Sequence, residues 1–179
     1  MSAVDFDAAG RVSSRTDANG NATKYAYDYA SRLTLVTDPS NRVVSYGYDG
    51  RGNRTRVTGE RNYSTTFAYD KANRLTTETN PLGKVTAYTY DTAGNRATKL
   101  DANGNTTAYD YDDDRRLTSA TFQDGTRYEH AYDVRGSRTL ERAPSHERTM
   151  AYDALGRVTS VVDVTLGKTL AYAYDIVCN

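Results

Sequence analysis

Tryptophan is absent from this sequence, cysteine occurs once, methionine twice, and proline and phenylalanine three times each. A single cysteine, Cys178, rules out an intramolecular disulfide framework and leaves a link between two copies as its disulfide use. No apolar run approaches the roughly 18 residues of a membrane-spanning helix. The N-terminal MSAVDFDAAGR has acidic residues where a signal peptide needs a basic and then an apolar stretch, so no cleavable leader is expected. Charge of one sign is also missing: 23 basic and 23 acidic residues are spread without a cationic block. That excludes an electrostatic nucleic-acid or membrane binder. Only 37% of residues are hydrophobic and the mean hydropathy is −0.76. Compact cores are normally built from Leu, Ile, Val and Phe, so a thin layered structure burying amphipathic faces is expected instead.

What is present is tyrosine, 16 of the 19 aromatics. It recurs in register. An aromatic followed by aspartate occurs at Phe6, Tyr27, Tyr48, Tyr69, Tyr90, Tyr111, Tyr132, Tyr152 and Tyr174. The first seven are 21 residues apart and the last two steps are 20 and 22. Self-similarity at such a period marks a repeat architecture. The whole chain, 1–179, is read as a single array of about eight 21-residue repeats without a separate toxin-like domain.

The copy VTAYTYDTAG, Val85 to Gly94, shows the grammar. Val85 to Tyr90 is strand A, Asp91 to Gly94 a turn, Asn95 to Leu100 strand B, and DANG at Asp101 to Gly104 a second turn. In Asp-x-x-Gly the carboxylate accepts backbone N–H groups and glycine takes the positive-φ position, giving a type I turn with a G1 bulge. Loops this short make consecutive strands antiparallel neighbours. The fold class is therefore all-β, a continuous antiparallel hairpin meander of about 17 short strands, coiled by native twist into a spiral or partial shell.

Alternation along a strand puts Tyr25 with Tyr27, Tyr46 with Tyr48, Tyr88 with Tyr90, Tyr109 with Tyr111, and Tyr172 with Tyr174 on one face. Small residues such as Ala26, Gly47 and Ala68 fall on the other. The expected structural set is these ten tyrosines with Tyr69, Tyr132 and Tyr152, the aspartates Asp28, Asp49, Asp70, Asp91, Asp112, Asp133 and Asp153, and Gly94. An aromatic ladder is expected, its hydroxyls bonded to turns or carbonyls and its rings stacked on one another. Eighteen of the 23 basic residues are arginine at recurring positions, which suits structural bonding to carboxylates and carbonyls. A second period overlies the first: the turns after Tyr27, Tyr69 and Tyr111 read YASRL, KANRL and DDRRL, whereas those after Tyr48, Tyr90 and Tyr132 read GRGNR, TAGNR and VRGSR. The arginine moves by one position, which flips its face unless a bulge absorbs the step, so the unit can be 42 residues.

With Y-x-Y-D-x-x-G-[NR]-R and T-D-x-x-G-N spelled out, as in TDANGNATKYAYDYASRLTLVTD from Thr16 to Asp38, the chain resembles the YD-repeat, or RHS-repeat, family. The resemblance covers about Asp5 to Asp175. It implies a β-shell wound from antiparallel sheet, of the kind that encloses a C-terminal toxin in bacterial polymorphic toxins and insecticidal toxin complexes and recurs in teneurins. It further implies a bacterial origin and an extracellular or cell-surface location. The aspartyl self-cleavage motif of toxin-bearing members is not matched: the only Asp-Pro is Asp38-Pro39, followed by Ser40 and Asn41. Self-cleavage and toxin activity are therefore carried over to no residue.

Candidate chemistry is sparse. His130 and His146 lack a third ligand or an orienting partner in the sequence, and His130 stands in a tyrosine slot as a packing substitute. Asp110, Asp112, Asp113 and Asp114 form an acidic run without the later positions of a calcium loop. Aspartates recur at turns, which argues against a unique acid/base pair. The sequons at Asn21, Asn53, Asn62 and Asn105 follow from Asn at turns and Thr or Ser nearby. The expectation is a non-catalytic scaffold, without cofactor or metal, whose partner is a toxin or other cargo domain absent from this chain. Self-association through the edge strands near Asp5 and Tyr172 is expected as well. The alternative is a module that binds glycans or a cell surface through its tyrosine face.

Overall fold

The computed structural model describes residues 2–175. Cys178 lies outside the described residues. Among the described residues the chain is all-β, an antiparallel hairpin meander of seventeen strands, with one short 3-10 turn at Glu60–Asn62. Its contacts cluster into two compact units, Met1–Ala87 and Tyr88–Asn179.

The first unit contains β1 (Ala3–Phe6), β2 (Val12–Thr16), β3 (Ala22–Tyr27), β4 (Leu33–Thr37), β5 (Val43–Tyr48), β6 (Arg54–Thr58), β7 (Ser64–Tyr69) and β8 (Leu75–Thr79), and it takes in the start of β9 (Val85–Tyr90). The second contains the rest of β9, then β10 (Arg96–Leu100), β11 (Thr106–Tyr111), β12 (Leu117–Phe122), β13 (Arg127–Tyr132), β14 (Arg138–Ala143), β15 (His146–Tyr152), β16 (Val158–Asp163) and β17 (Lys168–Ala171). Within each unit every strand pairs antiparallel with the next in sequence. Odd-numbered strands are the A strands that carry the aromatic slots; even-numbered ones are the B strands.

Both kinds of turn close by one chemistry. At the A-to-B turn of the second repeat, Asp28 accepts the Ala30 and Arg32 amides on Oδ1, each at 2.9 Å, while its carbonyl accepts the Ser31 amide at 3.0 Å. At a B-to-A turn Asp17 does the same for Asn19 and Asn21, at 2.8 and 2.9 Å. Where the aspartate is replaced, Asn80 bonds the Leu82 and Lys84 amides through its own side-chain oxygen. The fourth turn position is left-handed, as at Gly94 (φ 91°), but Ser31, Asn73 and Arg115 hold it at φ 60 to 63° without being glycine. Such residues bear a steric penalty there.

Seven A-to-B hairpins carry a register shift at the same place. Ala26 faces Leu35 while Tyr27 faces Leu33, so Thr34 is left over on the B strand. The residues skipped are Ser13, Thr34, Thr55, Thr76, Thr118, Thr139 and Thr159. Thr34 and Thr76 turn their hydroxyls back to the Ala26 and Ala68 carbonyls, at 3.2 and 3.1 Å. A bulge of this kind steepens local twist and brings Leu33 and Val36 to the tyrosine face from positions three apart. The B-to-A hairpins lack it.

The steps of 20 and 22 residues are absorbed in B-to-A loops. Thr16 pairs with Ala22 across a turn in which Asp17 and Asn21 bond, leaving a three-residue tip. Ala143 pairs directly with His146 across Pro144–Ser145, whereas Asp163 pairs with Lys168 across Val164–Gly167. The tips are therefore shorter by one and longer by one, and the strands on either side keep their phase.

Among the described residues no hydrophobic side chain is buried; only Thr58 and Ser119 are. The alternation on β3, half-buried at Tyr25 and Tyr27 and exposed at Ala26, shows that the tyrosine side is covered by its own side chains. Stability thus comes from strand ladders and from polar contacts between repeats.

Candidate functional site

Within each unit the residues singled out by the repeat form a lattice that joins repeats to their neighbours, built from three contacts. The first is a hook. The Tyr27 hydroxyl donates to the Val12 carbonyl at 3.0 Å, Tyr48 to Leu33 at 2.8 Å, and Tyr69 to Arg54 at 3.0 Å. In the second unit Tyr132, Tyr152 and Tyr174 donate likewise to Leu117, Arg138 and Val158. Each acceptor opens the B strand of the preceding repeat and lies opposite that repeat's own second aromatic, beside the bulge. Phe6 has no hydroxyl with which to do this.

The second contact is a clamp. Arg32 donates from Nε to Asp28 Oδ2 at 2.7 Å and from Nη1 to the Asp49 carbonyl of the next repeat at 2.9 Å. Its guanidinium lies 4.8 Å over the Tyr48 ring. Arg11 repeats this on Asp7, the Asp28 carbonyl and Tyr27, and Arg116 on Asp112, the Asp133 carbonyl and Tyr132. Asp70 and Asp153 hold Arg74 and Arg157 in the same way, and Arg157 covers Tyr174 at 4.4 Å. The rings therefore do not stack on one another, contrary to expectation. Among the described residues the one ring-on-ring contact is Phe122 with Tyr128. A strands of successive repeats lie about 10 Å apart with a B strand between them, too far for stacking, and the arginine fills the gap.

The third contact explains the alternation of turns. After Asp49, Asp91 and Asp133 the clamp position holds Asn53, Asn95 or Ser137. Asn53 donates to Asp49 Oδ2 and to Asn73 of the next repeat, both at 2.9 Å, and Asn95 donates to Asp91. Arg51 and Arg135, two residues after the aspartate, reach the next turn instead, at the Lys71 and Ala154 carbonyls. Arg54, Arg96 and Arg138 occupy the slot of Leu33, and the first two cover Phe67 and Tyr88 at 5.6 and 4.7 Å. Nothing shifts its register between the two kinds of repeat, because the bulge is common to both. Two distinct positions exchange their residue types.

Of the first-slot aromatics, Tyr25, Tyr46, Tyr88 and Tyr109 are half-buried on strands, while Tyr172 lies just past β17 and is exposed. Tyr90 and Tyr111 are half-buried, and burial pushes the Tyr111 phenol upward. Backbone bonds from Arg32, Arg74 and Arg157 hold the Asp28, Asp70 and Asp153 carboxyls below their ordinary range. For Asp49 and Asp91 the side-chain amides of Asn53 and Asn95 have the largest lowering effect.

The residues weighed for chemistry are dispersed. His130 and His146 stand on β13 and β15 with β14 between them, and His146 Nδ1 is 3.7 Å from Asp163 Oδ2. Asp110 accepts the Ser119 hydroxyl, Asp112 closes a turn, and Asp114 faces Arg116 at 3.2 Å. Among the described residues no group of His, Cys, Asp and Glu is arranged to hold a metal ion. The sequon amides of Asn21, Asn53 and Asn105 are bonded to their turn aspartates. Among the described residues no helix is long and apolar enough to cross a membrane. The hook, which spans 15 residues in four cases and 14 and 16 in the last two, and the Ser/Thr bulge escaped the sequence reading, although the recurring spacing of tyrosine from the B-strand start carried the signal.

No curated protein matches the chain in sequence. Among solved structures, TcdB2-TccC3 without its hypervariable C-terminal region superposes with a TM-score of 0.67 at 21% identity, over 92% of this chain and 10% of that one. The TcdB2-TccC3-Cdc42 structure gives 0.64 at 19% identity, over 90% and 12%. The Tc holotoxin pore of Photorhabdus luminescens, with a TccC3 substitution, gives 0.64 at 18% identity, over 99% and 12%. At these identities the likeness is one of fold, and the chain spans about a tenth of the length of those it matches. The RHS Repeat family model matches residues 6–41, 30–65, 48–84 and 69–103, which together exceed half of the chain. With a hook and a clamp recurring at the same spacing, the chain belongs to the RHS repeat family.

Proposed function

We propose that this chain is a non-catalytic scaffold: a length of RHS shell wall, a single array over 1–179, that encloses or presents a toxin or other cargo domain carried elsewhere. The observation that carries this reading is a layer with no buried hydrophobic side chain among the described residues, tied repeat to repeat by polar contacts. Such a layer resists deformation without enclosing a core of its own, as a wall must. The tyrosine couplets and turn aspartates are then structural throughout. The titles of the similar structures, which pair TcdB2 with TccC3 and name a holotoxin pore, support a bacterial toxin assembly acting outside the producing cell.

The test is to express the chain with the sequence that flanks it in its gene and to follow proteolysis of the non-repeat domain. Enclosure predicts that this domain resists protease until the array unfolds. Cleavage at the rate of the free domain refutes it. Among the described residues the exposed strands β1 and β17 pair with β2 and β16 alone, which favours association of copies by strand addition. A strictly monomeric light-scattering mass at high concentration would count against that part.

A further inference from the structure

Turns in this array are fastened by side chains, and the turn between β6 and β7 is not. Among B-to-A turns, Asp17, Asp38, Asn80 and Asp101 each accept two turn amides on one side-chain oxygen. The irregular turns of the second unit keep substitutes: Asp124 accepts the Thr126 amide at 2.8 Å and Asp163 the Leu166 amide at 3.0 Å, while the two-residue tip Pro144–Ser145 is closed by the pairing of Ala143 with His146. The β6–β7 turn opens on Gly59, which has no side-chain oxygen to offer, and no side-chain cap replaces it.

The backbone of that tip is strained as well. Arg61 (φ 58°, ψ 19°) and Asn62 (φ 64°) are consecutive left-handed residues, neither of them glycine, and no other such pair occurs among the described residues. Each bears the steric penalty of that region. The bond that closes the tip, from the Tyr63 amide to the Glu60 carbonyl, is 3.4 Å long, where the Gly20 amide meets the Asp17 carbonyl at 3.1 Å. Of the tip side chains only Glu60 is tethered, by Arg42 at 2.9 Å. Glu60 to Tyr63 are all exposed, and among the described residues the Arg61 guanidinium has no partner. A cleft of about 500 Å³, lined by Val43, Ser45, Thr58 and the tip itself, gives the tip open space on that side.

A protease takes its substrate in extended form, so a folded chain is cut where local opening is easiest: at an exposed tip that lacks cap bonds and sheds strain on opening. An arginine with a free side chain at such a tip suits a serine protease whose specificity pocket carries a carboxylate. We propose that the Arg61–Asn62 bond is a processing site for a trypsin-like protease, cut while the rest of the array stands. Hydrolysis consumes one water and breaks the bond from the Arg61 carbonyl carbon to the Asn62 nitrogen; the water oxygen ends in the new Arg61 carboxylate and Asn62 becomes a free amine. The two sides stay joined, because Thr58 pairs with Ser64, Val57 with Thr65 and Arg56 with Thr66, and Tyr69 remains hooked to Arg54. The site is independent of the scaffold reading, since it rests on one turn of the first unit and a wall needs no such nick.

The experiment treats the folded chain with dilute trypsin and follows it by intact mass and by native size exclusion. The first cut should yield 1–61 and 62–179. It should run at least about tenfold ahead of cuts after Arg51, Lys71 or Arg115, whose turns are capped by Asp49, Asp70 and Asp112. The nicked product should elute with the parent. Gly59→Asp combined with Asn62→Gly gives this turn the Asp-x-x-Gly spelling of 101–104. Gly59 has extended backbone at φ −92°, and a Cβ added there meets nothing within 4 Å, so the double variant keeps the fold. It should slow the cut about tenfold. Arg61→Gln should abolish the cut and leave the melting temperature unchanged. A first cut at another bond, an equal rate in the folded double variant, or separation of the two pieces on the native column overturns the proposal.

Discussion

Replacing Arg32 by methionine keeps an apolar stem of similar length and deletes the guanidinium. Three contacts go with it: the 2.7 Å pair with Asp28, the 2.9 Å bond to the Asp49 carbonyl, and the cover over Tyr48 at 4.8 Å. The Arg32 side chain is 31% exposed, so its ion pair is screened and contributes only about 0.5 kcal/mol. A bond to a carbonyl contributes about 1 kcal/mol and a cation over a half-exposed ring about 0.5 to 1 kcal/mol. The expected loss is about 2 kcal/mol, a sizeable share of the roughly 5 to 15 kcal/mol of net stability typical of folded chains. Arg32→Lys keeps the charge but not the planar fork, and should lose nearly as much. Tyr48→Phe removes only the hook to Leu33 and should cost about 1 kcal/mol. Urea unfolding followed by tyrosine fluorescence measures these losses, fitted with nearest-neighbour coupling because repeat arrays depart from two-state behaviour. Hydrogen exchange at amides 49–53 locates them: a loss of 2 kcal/mol confined to that junction lowers protection there by about thirtyfold. Arg32→Met within about 0.5 kcal/mol of the parent, and no worse than Arg15→Met at an exposed strand position, would refute the clamp as a source of stability.

Acid should loosen the array. The turn carboxyls, Asp28, Asp70 and Asp153 among them, are held below their ordinary range in the folded chain by backbone N–H bonds first and by arginine second. A lowered folded pKa contributes stability that is full above the unfolded value, about 4, and is lost as pH falls through the folded values, so the melting temperature should fall progressively below about pH 4. Arg115→Gly relieves a left-handed residue at φ 63° and should stabilise by about 1 kcal/mol in chemical denaturation. Ser119→Ala deletes the 2.6 Å bond to Asp110 from a side chain only 1% exposed and should cost about 1 kcal/mol by the same measurement.

Strand number, hairpin order and turn chemistry were legible because each rests on local signals repeated in phase: Asp-x-x-Gly at 91–94 and 101–104, and alternation over 85–90. The bulge was not legible, since Thr34 reads as an ordinary strand threonine until the pairing of Tyr27 with Leu33 shows it skipped. Ring stacking failed as an expectation because the spacing along one strand says nothing of what enters the gap between A strands. Arg32 enters it from a turn, and its reach to Asp49 spans 17 residues. The two turn types likewise looked like one arginine displaced by a residue. They are two positions, one above the turn and one beside Tyr48, that only pairing tells apart.

The unequal loops at Pro144–Ser145 and Val164–Gly167 have a consequence for how such a chain can be edited. Length variation falls at the B-to-A end, where a tip of two or four residues leaves the flanking register whole. At the opposite end an added residue would separate Asp28 from Arg32 and break a junction that serves the next repeat too. One rim of the ribbon is thus open to grafted peptides or natural insertions, while the other must keep its spelling, and foreign sequence should be written along the first.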